Sequence, residues 1–251
     1  MSAYTSYNLA DTLGGTTVGF SFALTLGGIA LQQAVQYFSR FPRDSIYLKA
    51  IVAALTVLNL FHSATVSHVT YFWNVIKWGS IEGLDIAPVS YGLTTISCAI
   101  ITSIVQTFYA YRIHVLAKSY LFPILITVLS VVQFCFAIYV AAYTISHPHQ
   151  SKFHRILWQT YTYLITAVVN DIIISVVLIY CLHRSKGLST HINSFMTVFS
   201  IITFQTNGLT AVVALLVVIL FGTIQNGWNV GLYMTVAKLY IISFLTSVNA
   251  R

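Results

Sequence analysis

Seven apolar windows, each long enough to cross a bilayer, follow one another along this chain with little between them. They are Gly14–Phe38, Leu48–Trp73, Val89–Tyr111, Tyr120–Ser146, Leu157–Leu182, Ser194–Phe221 and Trp228–Val248. A membrane-crossing helix needs about 20 predominantly apolar residues. Lipid leaves the backbone to satisfy its own hydrogen bonds, which favours helices throughout. Only 7% of the residues are charged and mean hydropathy is +0.82, whereas a soluble domain carries about 25% charge. The expectation is therefore an all-α protein: residues 1–251 form a single seven-helix transmembrane domain with short loops and no soluble module. Its localisation is a membrane, crossed many times, and membrane lipids are its first partners.

The few charges are unevenly placed. Arg40, Arg43, Lys49, Arg112, Lys118, Arg184, Lys186 and Arg251 fall on one side of the bundle; Lys77, Lys152 and Arg155 fall on the other. Lys and Arg collect in cytoplasmic loops, which puts the N-terminus outside and the C-terminus in the cytoplasm. Asp44 removes one charge from the inner side, while Asp11, Glu82 and Asp85 cancel the outer basic residues. The whole excess of +7 is thus a topology signal, and no nucleic-acid partner is read from it. Met1–Leu13 has no basic segment of the signal-peptide kind, so the first helix is expected to act as its own anchor. Cys98, Cys135 and Cys181 all fall within predicted helices, which argues against an extracellular disulfide framework.

The last window carries the residue that most needs explaining. Lys238 lies near the middle of an otherwise uncharged helix, where an ammonium costs about 3 kcal/mol unless paired or wetted. The fifth window contains the one intramembrane carboxylate, Asp171, next to Asn170. At 1.5 Å per residue, Lys238 and Asp171 lie about 15 and about 21 Å from the outer ends of their helices. A shared interior site for the two charges is expected, directly or through a small polar group. Asn59 and His62 on the second helix, and Gln205 and Asn207 on the sixth, complete the set of interior polar candidates. Glycines 14, 15, 19, 27 and 28 in the first helix allow close helix approach, and Gln32, Gln33 and Gln36 near its end are expected to bond neighbouring helices.

No metal site is assigned. His62 and His68 are six residues apart and lie off each other's face, and helices three, four, six and seven supply no mid-depth histidine. His147, His149 and His154 form an exposed outer cluster, and Glu82 and Asp85 an outer-loop acid pair. Trp73, Trp78, Trp158 and Trp228 all fall at predicted outer ends, where an interfacial aromatic belt is expected.

Four stretches carry a family resemblance: F-S-R-F-P-R-D-S-I-Y-L-K after helix one, V-Q-T-F-Y-A-Y-R-I after helix three, N-D-I-I-I-S with C-L-H-R-S-K-G along helix five, and K-L-Y-I-I-S-F-L-T-S-V-N-A-R from Lys238 to Arg251. Together they resemble a seven-helix family of unknown function from mushroom-forming fungi, number six-five-three-four. The chain departs from that family's pattern at Asn59, where an Asp is usual, and at Ile242, where an Asn is usual. The resemblance implies a fungal seven-helix membrane protein, supplies no activity, and suggests a form shorter than most members.

Four functional classes remain open. Topology, short loops and an interior polar layer point to a receptor-like protein, or one sensing an apolar or amphipathic small molecule, by analogy of fold. An intramembrane enzyme acting on a lipid or isoprenoid would use Glu82, Asp85 or Asp171 as the acid. Lys238 sits where a retinal Schiff-base lysine would, but helix three offers no acidic counterion. A transporter is the remaining alternative, without visible repeats. No cofactor and no oligomeric state are assigned.

Overall fold

The computed structural model describes residues 13–184, 208–223 and 227–250. They form helices α1 (Gly15–Arg40), α2 (Ile46–Tyr71), α3 (Val89–Ala117), α4 (Leu121–Ser146), α5 (Leu157–Arg184), α6 (Gly208–Thr223) and α7 (Gly227–Asn249). Six are long and apolar enough to span a membrane, and α6 is a shorter apolar helix among the described residues. The predicted sixth window begins at Ser194, so its residues 194–207 lie outside the described residues.

Chain chemistry sets the helix ends. α1 stops at Phe41, one residue before Pro42. The Ser45 hydroxyl caps α2 by accepting from the Leu48 amide at 3.4 Å. α2 then runs on through a π-helical turn, Phe72–Ile76. Pro88 precedes α3, which ends where Lys118 takes a left-handed backbone with φ 49. A 3-10 stretch, Gln150–Ile156, leads into α5. Several helices outrun their predicted windows: α3 continues to Ala117 rather than ending at Tyr111. Hydropathy marks where lipid ends, while a helix continues until something in the backbone stops it.

α3 packs against α2, α4, α5 and α7, and α7 packs against α1, α2 and α3. These are the interior helices: 61% and 67% of their apolar windows are buried, against 22% for α1. α1 offers α7 a small-residue face, with Gly15, Gly19, Ala23 and Gly27 at four-residue spacing. A Cβ on Gly15 would meet the Trp228 amide nitrogen at 2.6 Å, and one on Gly19 would overlap the Gly231 backbone. The two backbones thus touch directly, as small-residue membrane interfaces allow. A Cβ on Gly14 or Gly28 would meet nothing within 4 Å, so neither glycine takes part.

The two ends of the bundle differ. At the end holding Arg40, Arg112 and Asn249, α7 is tied to its neighbours by side chains. The Arg112 guanidinium donates to Ser247 at 2.6 Å, Tyr109 and Ser243 share a hydrogen bond of 3.1 Å, and Gln33 donates to Thr246 at 3.0 Å. The opposite end carries all four tryptophans. Trp78, Trp158 and Trp228 are exposed there, but Trp73 is buried and its indole donates to the Ile86 carbonyl at 2.9 Å. Trp73 is therefore a loop anchor, not a member of the expected lipid-facing belt, because the Ile86 carbonyl gives its N–H a partner inside the fold.

Candidate functional site

Two separate polar centres occupy the interior, one on each side of α7. In the first, Lys238 is fully buried and its ammonium donates to the Asn59 carbonyl at 2.9 Å, Asn59 Oδ1 at 2.8 Å and the Ser63 hydroxyl at 2.7 Å. An ammonium has three donors, so the three neutral oxygens satisfy it without a carboxylate. Asn59 also donates from Nδ2 to the Gly27 carbonyl at 3.0 Å. One amide side chain thus links α1, α2 and α7. A Cβ on Gly27 would meet Ser63 Oγ at 3.4 Å and Lys238 Cε at 3.6 Å, ordinary contact distances, so α1 passes directly beside this centre. His62 is fully buried beside this centre, and neither ring nitrogen has a partner among the described residues.

The second centre is Asp171. It accepts from the Tyr240 hydroxyl at 2.5 Å, and Gln106 and Thr210 lie beside it. Gln106 donates in turn to Gln133 at 3.1 Å, so α3, α4, α5, α6 and α7 all contribute. Neighbouring Asn170 donates to the Ile126 carbonyl at 3.3 Å. The expected shared site for Lys238 and Asp171 is therefore not formed. Lys238 and Tyr240 are two residues apart, about 200° around a helix of 3.6 residues per turn. Lys238 faces α1 and α2 while Tyr240 faces Asp171, and the body of α7 stands between the charges.

A cavity lies nearer the tryptophan end, walled by α3, α4, the 3-10 stretch, α5, α6 and α7. The space between these walls is open in part to the exterior. Its walls are apolar, with Val140, Leu164, Val217 and Phe221 among them, and its polar groups include Tyr163, Tyr233 and Asn229. Tyr163 and Tyr233 share a hydroxyl hydrogen bond of 3.1 Å, and Tyr163 donates to Cys98 Sγ at 3.9 Å. Among the described residues no charged side chain lines this cavity.

The remaining sequence candidates separate from it. Asp85 accepts from the Ser151 amide at 2.7 Å and the Ser151 hydroxyl at 3.1 Å, and lies 3.2 Å from His149 Nδ1. With the Ala87 amide donating to the Pro148 carbonyl at 2.7 Å, it joins the two loops at the tryptophan end and caps the 3-10 stretch that walls the cavity. Its role in the fold is thus a loop tie. Glu82 is exposed in the turn Ile81–Leu84. Gln205, Asn207 and Asp11 lie outside the described residues. Sequence reasoning does not single out Tyr163, Tyr233, Asn229 or Tyr240 as site-forming, because a tyrosine in an apolar helix reads as packing or belt. Among the described residues no three His, Cys, Asp or Glu side chains gather as a metal site would require.

No curated protein and no solved structure matches the chain. Residues 167–251, which hold Asp171, Tyr233 and the Lys238–Arg251 motif, match the model of a family of unknown function, DUF6534. That is the family the chain's motifs resemble.

Proposed function

We propose that this multi-pass membrane protein is receptor-like and senses an apolar or amphipathic small molecule. The observation that carries the reading is the cavity lined by five helices, with apolar walls and a few convergent polar groups, the usual composition of a ligand site. α7 supplies the connection a sensor needs. It lines the cavity through Asn229 and Tyr233, passes Lys238 and Tyr240, and ends in the Ser243 and Ser247 contacts to Tyr109 and Arg112 on α3. With the basic loops in the cytoplasm, the cavity would open on the outer half and those contacts would face inward.

The enzyme reading draws less support. None of Glu82, Asp85 or Asp171 lines the cavity, so an acid and an apolar substrate have no common place among the described residues. Lys238 is likewise held by Asn59 and Ser63, away from the cavity lining. Purification in native lipid followed by mass spectrometry tests the proposal. A molecule enriched with the wild type and lost from a cavity-filled Val217→Trp variant is expected. Equal recovery from both, or no enriched molecule, would overturn it.

A further inference from the structure

We propose that the cavity takes an uncharged amphipathic alcohol, its hydroxyl on the Tyr163–Tyr233 floor and its apolar body against Leu164, Val217 and Phe221. This rests on reading the cavity as a small-molecule site and adds the ligand's chemical class. A count of hydrogens supports it. Tyr163 and Tyr233 share one hydrogen across their 3.1 Å contact, and when Tyr163 turns its own hydrogen to Cys98 Sγ at 3.9 Å, Tyr233 is the donor. Thr144 gives its hydrogen to the Ala141 carbonyl at 2.8 Å, and Thr160 to the Ile156 carbonyl at 3.0 Å. A hydroxyl has one hydrogen and two lone pairs. In that arrangement these four lining groups offer the cavity acceptors, their hydrogens being committed to the protein.

A guest that brings its own hydrogen satisfies such a floor, whereas an oxygen with lone pairs only meets acceptor against acceptor. Asn229 supplies the complement. Its Oδ1 accepts from the Val230 amide at 3.0 Å, which leaves the Nδ2 hydrogens for an incoming oxygen. An alcohol both donates to the tyrosines and accepts from the amide. An ether can only accept. A carboxylate or an ammonium would bring a charge into apolar walls that hold no opposite charge among the described residues, and an unpaired buried charge is strongly disfavoured.

The test uses the full chain in phosphatidylcholine nanodiscs and a diazirine-bearing 1-dodecanol as photoprobe, with labelled peptides mapped by mass spectrometry. Labelling of the α5 and α7 peptides containing Tyr163 and Tyr233 is expected. Unlabelled 1-dodecanol should compete at about tenfold lower bilayer concentration than methyl dodecyl ether, dodecanoate or dodecylamine, the factor of one lost hydrogen bond that leaves its partner unsatisfied. Tyr233→Phe should narrow the gap between alcohol and ether severalfold; Thr144→Val carries the same readout should Tyr233→Phe fail to fold. Cavity labelling with equal competition by the ether, or better competition by a charged analogue, would overturn the alcohol and leave the small-molecule reading standing. Absence of labelling on the cavity peptides would overturn both.

Discussion

Lys238 and Tyr240, two residues apart on α7, serve opposite sides of that helix. Lys238 bonds Asn59 and Ser63 of α2, and Tyr240 bonds Asp171 of α5. The interior helix is thus held by two independent polar anchors at nearly one depth. Each anchor satisfies its group within the bundle, as an intramembrane polar side chain requires.

Double-mutant cycles separate the two anchors. Asn59→Leu strands the buried ammonium short of an acceptor and should destabilise by about 2–3 kcal/mol. Adding Lys238→Met should recover at least about 1 kcal/mol of that, since contacting residues couple. Lys238→Met with Asp171→Leu should instead be additive within about 0.5 kcal/mol. Unfolding in mixed detergent measures all three. Compensation between Lys238 and Asp171 would show that the charges communicate across α7.

The α1–α7 contact depends on absent side chains. Gly19→Leu and Gly231→Leu each force backbones apart, and each should cost about 1–3 kcal/mol or more. Gly28→Leu, on the same helix with open space at its Cβ position, should change stability by less than about 0.5 kcal/mol. Thermal unfolding in nanodiscs compares them; equal effects at Gly19 and Gly28 would contradict the direct backbone contact.

Asp85 joins the loops through bonds from Ser151 and His149. Asp85→Ala should leave the helices formed but release the 3-10 stretch, costing about 1–2 kcal/mol. Hydrogen exchange should then quicken across residues 149–156 and stay unchanged in α1. Unaltered exchange at Ser151 would show that the backbone pairing of Ala87 with Pro148 suffices alone.

The basic asymmetry predicts orientation. A glycosylation acceptor added before Met1 should be modified in a eukaryotic cell, and one after Arg251 should not. The reverse pattern would invert the assignment of the cavity to the outer half.

Hydrophobic length and the scarcity of charge are enough, from sequence alone, to read a helical membrane bundle, and the glycines of α1 announce a close helix contact. Those properties are local: a run of apolar residues must cross lipid as a helix whatever surrounds it. The interior charges are legible as residues needing partners, and Asn59, His62, Asn170 and Asp171 do prove buried. Their pairing is not legible. Two lone opposite charges at similar depth suggest an ion pair, but which residues a side chain meets depends on how α7 is rotated between α1 and α5. The glycine contact of Gly15 and Gly19 with Gly231 contributes to that rotation by pressing one face of α7 against α1, so Lys238 points to Asn59 and Tyr240 to Asp171. The cavity is likewise a product of tertiary packing. Its floor joins Tyr163 and Tyr233, which hydropathy counts as ordinary aromatic residues, and only the assembled helices bring their hydroxyls within 3.1 Å.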